Sequence, residues 1–159
     1  MNYHFEMMNK EEVEKVISWK YEGIYAFYDM EADMEDLREF RDDAAENENY
    51  WSVYQKDLFV GFFNFNEQQI GQVEIGLGMN PKLVGQGYGL NFLMAGIQKA
   101  IALYQPSSLT MAVAEFNKRA IKVYQKAGFI PVKTFIQHTN GGTYPFISMK
   151  KEVDLHHSI

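Results

Sequence analysis

Cysteine is absent from the 159 residues. That excludes disulfides, thiolate metal sites and a cysteine nucleophile outright. No run approaches the roughly 20 consecutive apolar residues of a membrane-spanning helix. Positive charge is short: 15 Lys and Arg stand against 21 Asp and Glu, a formal net charge of −6. This balance argues against broad nucleic-acid binding, which needs a cationic surface. It suits a cationic partner only weakly, since acidity also serves solubility. The opening "MNYHFEMMNKEEVEK" carries acids where a signal peptide has a basic and then an apolar region, so a cytoplasmic location is expected. No repeat, low-complexity tract or Pro/Gly/Ser linker interrupts the chain, and residues 1–159 are expected to form a single domain.

What is present suits a packed core. Hydrophobic residues make up 47% and aromatics 15% of the chain, a composition that excludes disorder. "YHFEM" reads as a short strand. Asn9 then stands as an N-cap with Glu12 three residues on, followed by Val13, Val16 and Ile17 at helical spacing. "DMEDLREFRDDA" reads as a second helix with Met34, Leu37 and Phe40 along one side. "YWSVYQ", "LFVGFFNF" and "GQVEIGLGM", separated by "KD" and "NEQQ", read as an antiparallel meander. After Gly89 the helical period returns in Leu90, Leu93, Met94, Ile97 and Ile101. "SSLTMAV" is a strand, "NKRAIKVYQKA" a helix ended by Gly128, and "FIPVKTFIQH" a strand whose "NGG" turn leads into "TYPFISMKK". The predicted order is β-α-α-β-β-β-α-β-α-β-β, a mixed α/β layer structure.

The stretch "KLVGQGYGLNFLMAGI" places Gly85, Gly87 and Gly89 at alternate positions, around Gln86 and Tyr88, directly before a helix. Glycine gives up more folding entropy than any other residue, so the cluster needs positive φ or close backbone approach to justify it. One reading is a tight turn with no ligand. The other is a phosphate cradle, made of unpaired N–H groups at the positive end of a helix dipole. A P-loop would need Gly-Lys followed by Ser or Thr, which is missing. The dinucleotide fingerprint would need a third glycine where Leu90 or Phe92 stands, and "GLGMNP" fails likewise at Pro81.

"VGQGYG" resembles the acyl-CoA pyrophosphate loop of the GNAT superfamily of N-acetyltransferases, Arg/Gln-x-x-Gly-x-Gly/Ala. The preceding strand resembles "VEIGLGMNP", and the downstream Asn, Ala, Tyr and Gly-Phe signature matches "NKRAIKVYQKAGF". The resemblance is densest from Glu74 to Phe129, and the element order extends it over most of the chain. It implies a splayed mixed sheet and acetyl-CoA as co-substrate, held by Gly85, Gln86, Gly87, Tyr88 and Gly89. Main-chain groups around Leu77 and Met79 would take the pantetheine arm. Val84 stands where the family usually has Arg or Gln, so that side chain is missing from the head of the loop while the backbone cradle remains.

Four further groups of residues bear on chemistry. Val73, Ile75, Leu77 and Met79 alternate to one face of their strand, leaving Glu74 with Gly76 and Gly78 on the other. Glu74 is either a carboxylate on a solvated face or one facing a groove left by two absent side chains. The resemblance implies a general base there. Tyr124 reads alone as a core tyrosine; the resemblance implies the acid that protonates the leaving thiolate. Asn117 is an ordinary N-cap or, as the resemblance implies, also a CoA contact. In "WKYEGIYAFYDM", Trp19, Tyr21, Tyr25 and Tyr28 surround Glu22 and Asp29. They form either aromatic core or an acceptor pocket suited to an ammonium group.

His4, His138, His156 and His157 share no metal-ligand spacing, and no metal is expected. No Gly-x-Ser-x-Gly elbow marks a serine hydrolase. The chain therefore reads as a cytoplasmic, acetyl-CoA-dependent N-acetyltransferase. Its acceptor would be a primary amine of a small molecule or a protein N-terminus, with neither nucleic acid nor membrane as partner. Monomer and homodimer both stay open. The rival is a non-catalytic acyl-CoA-binding sensor or interaction domain, toward which Val84 leans; a nucleotide-dependent oxidoreductase is more distant.

Overall fold

The structure, a computed structural model, describes residues 2–154. Its strands are β1 (His4–Met7), β2 (Tyr50–Gln55), β3 (Leu58–Gln69), β4 (Gln72–Met79), β5 (Ser108–Ala114), β6 (Ile130–Thr139) and β7 (Gly142–Glu152). Its α-helices are α1 (Lys10–Ile17), α2 (Met34–Asp43), α3 (Gly89–Tyr104) and α4 (Lys118–Lys126). The element order is the one expected from the sequence. The seven strands hydrogen-bond in the order β1-β2-β3-β4-β5-β7-β6. The sheet is mixed, with β4 parallel to β5 and β5 antiparallel to β7. The parallel ladder joins Gln72 to Ser108, Val73 to Leu109 and Glu74 to Thr110, and there it stops. β5 pairs with β7 along its whole length. This short parallel ladder is the splay anticipated for the sheet.

Residue contacts gather into two compact units. Among the described residues, the first comprises the chain up to Asn64 with Leu77–Val84 and His138–Thr143; the second comprises Phe65–Gly76, Gly85–Gln137 and residues 144–154. In the first, α1 and α2 pack Val13, Val16, Ile17, Leu37 and Phe40 with Phe59 and Phe62 of β3 into one apolar cluster. Met34, expected on the same stripe, is 53% exposed. It is the first residue of α2, beside the capping residue rather than over the core. β3 also runs further than expected: Asn66–Gln69 stay in the strand, and the reversal falls at Ile70 and Gly71, where Gly71 takes φ 83°.

Asn9 caps α1 as expected. Its side chain accepts from the Glu12 N–H at 2.8 Å, and Glu12 Oε1 accepts from the Asn9 N–H at 3.0 Å. Glu12 does more than close this box. Only 2% exposed, it also accepts from the Ser52 hydroxyl at 2.8 Å and the Tyr54 hydroxyl at 2.6 Å. A buried carboxylate is tolerable only when donors replace its water; of the three here, the Ser52 and Tyr54 hydroxyls tie α1 to β2. A second tie forms at the far hairpin. Asp33 caps α2 and accepts from the Asn140 N–H at 3.0 Å and the Thr139 hydroxyl at 3.2 Å. The Asn140 side chain donates to Phe27 O at 2.7 Å. Led by the Asn140 N–H, these donors hold the Asp33 carboxyl below its ordinary pKa.

In the second unit, Val73 and Ile75 of β4 and Leu109, Met111 and Val113 of β5 bury one face of the sheet. Phe92, Leu93, Ile97 and Ala100 form the buried stripe of α3, while Met94, expected on it, is 37% exposed. Replacing Glu12 with Ala should strand its three donors and cost roughly 2–3 kcal/mol, taking the larger part of the usual penalty for an unpaired buried group. Urea unfolding at neutral pH measures this. An unchanged midpoint would show that the carboxylate is not integral to the unit.

Candidate active site

Asn80 sets the entry to the glycine stretch. Its N–H donates to Val60 O at 2.8 Å and its side-chain amide to Phe59 O at 3.0 Å. Its Oδ1 accepts from the Lys82 N–H at 3.0 Å, so β4 ends there and a single 3-10 turn, Pro81–Leu83, follows. Gly85 and Gly87 then take φ 79° and 86°, a region that side-chain-bearing residues rarely enter. No atom lies within 4 Å of where a Cβ on Gly87 would be, so that side of the loop is open. Gly89 differs. It begins α3 with ordinary φ, and a Cβ there would meet Val123 Cγ2 at 3.6 Å. Gln86 is exposed and Tyr88 half-buried.

The start of α3 is set apart by its cap. Side chains of Asn9, Asp33 and Asn117 cap α1, α2 and α4, whereas Tyr88 at the corresponding position of α3 makes no capping bond. The first turn of α3 is therefore left without a side-chain cap at the positive end of a sixteen-residue helix. Flexible glycines, an open side at Gly87 and an uncapped dipole together fit a phosphate-bearing group.

Asn117 accepts from the Ala120 N–H at 3.0 Å, the N-cap role expected of it. One helical turn into α4, Val123 meets Gly89; further along, Tyr124 is half-buried with its ring 6.5 Å from that of Phe129. On β4, Glu74 lies opposite the buried Val73 and Ile75, as the alternation predicts. It is half-buried, and burial raises its carboxyl pKa above the ordinary value. Among the described residues its carboxylate has no hydrogen bond or ion pair to offset that burial. The anticipated groove beside it is narrower than two absent side chains suggest. A Cβ on Gly78 would run into the Phe62 ring, so at that position an aromatic ring fills the space. Leu77 and Met79 are half-buried.

The aromatic segment belongs to the first unit. It folds into two 3-10 turns, Gly23–Tyr28 and Met30–Ala32, which explains its lack of α or β period. Trp19 packs on the apolar cluster, its ring 5.2 Å from that of Phe59. The Tyr21 hydroxyl donates to Met79 O at 2.7 Å, and its N–H donates to Asp29 Oδ1 at 2.8 Å. Burial, then the charge of Asp29, pushes the Tyr21 pKa up, so the hydroxyl stays a donor. Tyr25 is half-buried; Tyr28 is 38% exposed, its ring edge-on to Phe27 at 5.3 Å. His4 pairs with Glu6 at 3.3 Å on the surface and His138 is exposed on β6. His156 and His157 lie outside the described residues.

Comparison with known proteins decides the family. The family model described as an acetyltransferase (GNAT) domain matches residues 1–130. The chain belongs to the GNAT acetyltransferases. A relative, the acetyltransferase PseH of Campylobacter jejuni, is 27% identical over 133 residues, covering 79% of this chain and 82% of PseH. Among solved structures, a Vibrio cholerae/hSSAT chimera of spermidine N-acetyltransferase SpeG superposes with a TM-score of 0.77 at 13% identity, covering 96% of each chain. Vibrio cholerae spermidine N-acetyltransferase in complex with CoA and spermine gives 0.73 at 12% identity, covering 94% of this chain and 95% of that one. These structural matches establish the GNAT fold. The protein is thus an acyltransferase of a family that uses acetyl-CoA, and no helix among its described residues is long and apolar enough to cross a membrane.

Two residues of this GNAT chain escaped the reading of its motifs. Thr110 is the register partner of Glu74 on β5, and parallel partners share a face. Its Oγ1 is buried without a hydrogen-bond partner among the described residues. Inside "SSLTMAV" nothing marked it, because only the pairing shows which strand residue lies beside Glu74. Arg119, in the first turn of α4, brings Nη1 to 3.3 Å from where a Cβ on Gly85 would stand. The neighbouring Asn117 and Ala120 carry the motif, and no pattern in the sequence distinguishes Arg119.

Glu74 leads to a stability test. Its folded pKa is raised, so its contribution favours the folded state below the unfolded pKa and is lost as pH rises through the folded value. Glu74→Gln should match the wild-type Tm near pH 4 and exceed it at pH 7. A variant less stable than wild type at pH 7 would mean that the carboxylate is held by partners.

Proposed function

We propose that residues 1–159 act as one catalytic domain transferring acetyl from acetyl-CoA to a primary amine of a small molecule or a protein N-terminus. One observation carries this reading: a half-buried carboxylate, Glu74, lies on the splayed strand with burial raising its pKa and no protein partner among the described residues. Such a group is poised to take a proton. The Vibrio cholerae neighbour, a spermidine N-acetyltransferase in complex with CoA and spermine, supports an amine acceptor.

The CoA thioester supplies an activated acetyl group. Backbone N–H groups of Gly85–Gly89 and the first turn of α3 hold the pyrophosphate. Main-chain groups of Leu77 and Met79 take the pantetheine arm, with Met79 O already accepting from Tyr21. Asn117 fixes the start of α4 and, with it, Tyr124. An alkylammonium has a pKa near about 10.4, so the acceptor arrives protonated at neutral pH. Glu74 takes that proton, directly or through a water, and the neutral nitrogen attacks the acetyl carbon. As the N–C bond forms and the C–S bond breaks, Tyr124 gives its proton to the departing sulfur. The nitrogen yields its second proton to the Tyr124 phenolate, leaving a neutral amide and a free thiol. The upward pKa shift of Glu74 moves the base toward working pH, where proton transfer is most efficient.

Acceptor recognition falls to the aromatic segment. Tyr25 and Tyr28 offer faces for an ammonium group, and Glu22 and Asp29 offer charge. Trp19 and Tyr21, anchored on Phe59 and Met79 O, hold the segment in shape. A CoA-binding domain without turnover is the less favoured reading, since both proton-transfer positions are filled.

Thiol release from acetyl-CoA against a panel of amines tests the activity. Tyr124→Phe should lower kcat by about 10²–10⁴ with little change in CoA affinity. Glu74→Gln should slow the reaction at neutral pH and recover partly as rising pH supplies free amine. CoA binding without thiol release from any amine would favour the sensor reading instead.

A further inference from the structure

The head of the glycine stretch lacks its cation, because Val84 stands there. Another residue occupies the neighbourhood. Arg119 reaches from α4 so that Nη1 lies 3.3 Å from the point a Gly85 Cβ would take. Gly85 therefore answers two demands: its φ of 79°, and room for a guanidinium against the loop. One turn further along α4, Val123 meets Gly89 at the start of α3. Residues four apart share a helix face, so a single side of α4 runs beside the stretch from Gly85 to Gly89. That helix is cationic. Lys118, Arg119, Lys122 and Lys126 are its charged residues, with no acid among the nine, in a chain of net charge −6.

We infer that Arg119 binds the CoA pyrophosphate, supplying from α4 the positive charge that the loop lacks at Val84. A guanidinium offers planar, paired N–H donors matched to phosphate oxygens, and charge-assisted bonds of this kind are the strong ones. From beside Gly85 it can meet an anion seated on the N–H groups of the loop. Approach from a helix also has a structural advantage. The side chain starts from a rigid turn fixed by the Asn117 cap, whereas one at residue 84 would start from the loop itself. The inference rests on the loop reading given under Proposed function, and adds to it the residue that carries the charge.

Calorimetric titration with CoA and with dephospho-CoA, at low and at high salt, tests it without any turnover. Arg119 is exposed, so substitution leaves the core untouched. Arg119→Gln should weaken both ligands by the same factor, about ten- to a hundredfold, since both carry the pyrophosphate. The gap from wild type should narrow as salt rises. Adding Val84→Arg to that variant should restore most of the affinity by returning the charge to the head of the loop. A folded Arg119→Gln protein that binds CoA as tightly as wild type overturns the inference. So does a loss seen with CoA and absent with dephospho-CoA, which would put Arg119 on the 3′-phosphate. Wild-type protein that binds neither ligand overturns the loop reading underneath, a failure distinct from equal affinity in the variant.

Discussion

A first turn without a side-chain cap sets α3 apart from the other α-helices among the described residues. In α1, α2 and α4 a side chain closes the first turn. Here Tyr88 leaves it open. Gly85 and Gly87 bring the chain in at positive φ, so the preceding N–H groups can join those of the helix in facing one ligand. Open first-turn donors need water or an anion to meet them, and Gly85, Gln86 and Gly87 are exposed. α4 packs beside it through Val123 and Arg119, and its own cap, Asn117, fixes where that helix begins.

The first unit answers to a different constraint, the burial of Glu12. Three donors on α1 and β2 share its two oxygens, so the helix and strand cannot move apart without stranding a charge. Asp33, half-buried, does comparable work, tying the start of α2 to the tip of the β6–β7 hairpin. The aromatic segment between α1 and α2 is held at Phe59, Met79 O and Asn140. It is a shaped surface of 3-10 turns, with the ring of Tyr28 partly exposed on it.

Local chemistry made most of this legible in the sequence. The Asn9–Glu12 spacing announced a capping box, and "NGG" a two-residue turn, which the structure builds with Asn140 and Gly141 at φ 53° and 76°. Motif spacing between Glu74 and Phe129 led to the family. What stayed hidden depended on partners distant in sequence. Thr110 is distinguished only by its register with Glu74, and Arg119 only by its approach to Gly85. The space expected over Gly78 is filled by Phe62, sixteen positions earlier, a packing fact that no strand alternation reveals. Stripes drawn from apolar period alone also took in Met34 and Met94, because helical spacing cannot show where a helix leaves the core.

The central claim is that main-chain N–H groups of Gly85–Gly89 and the first turn of α3 hold the pyrophosphate of CoA. Amide ¹H–¹⁵N shifts followed through a CoA titration test this directly, since they report each N–H separately. The account predicts that the largest saturable shifts fall on Gly85, Gln86, Gly87, Gly89 and Leu90. Saturable CoA binding that leaves those amides unmoved would contradict it.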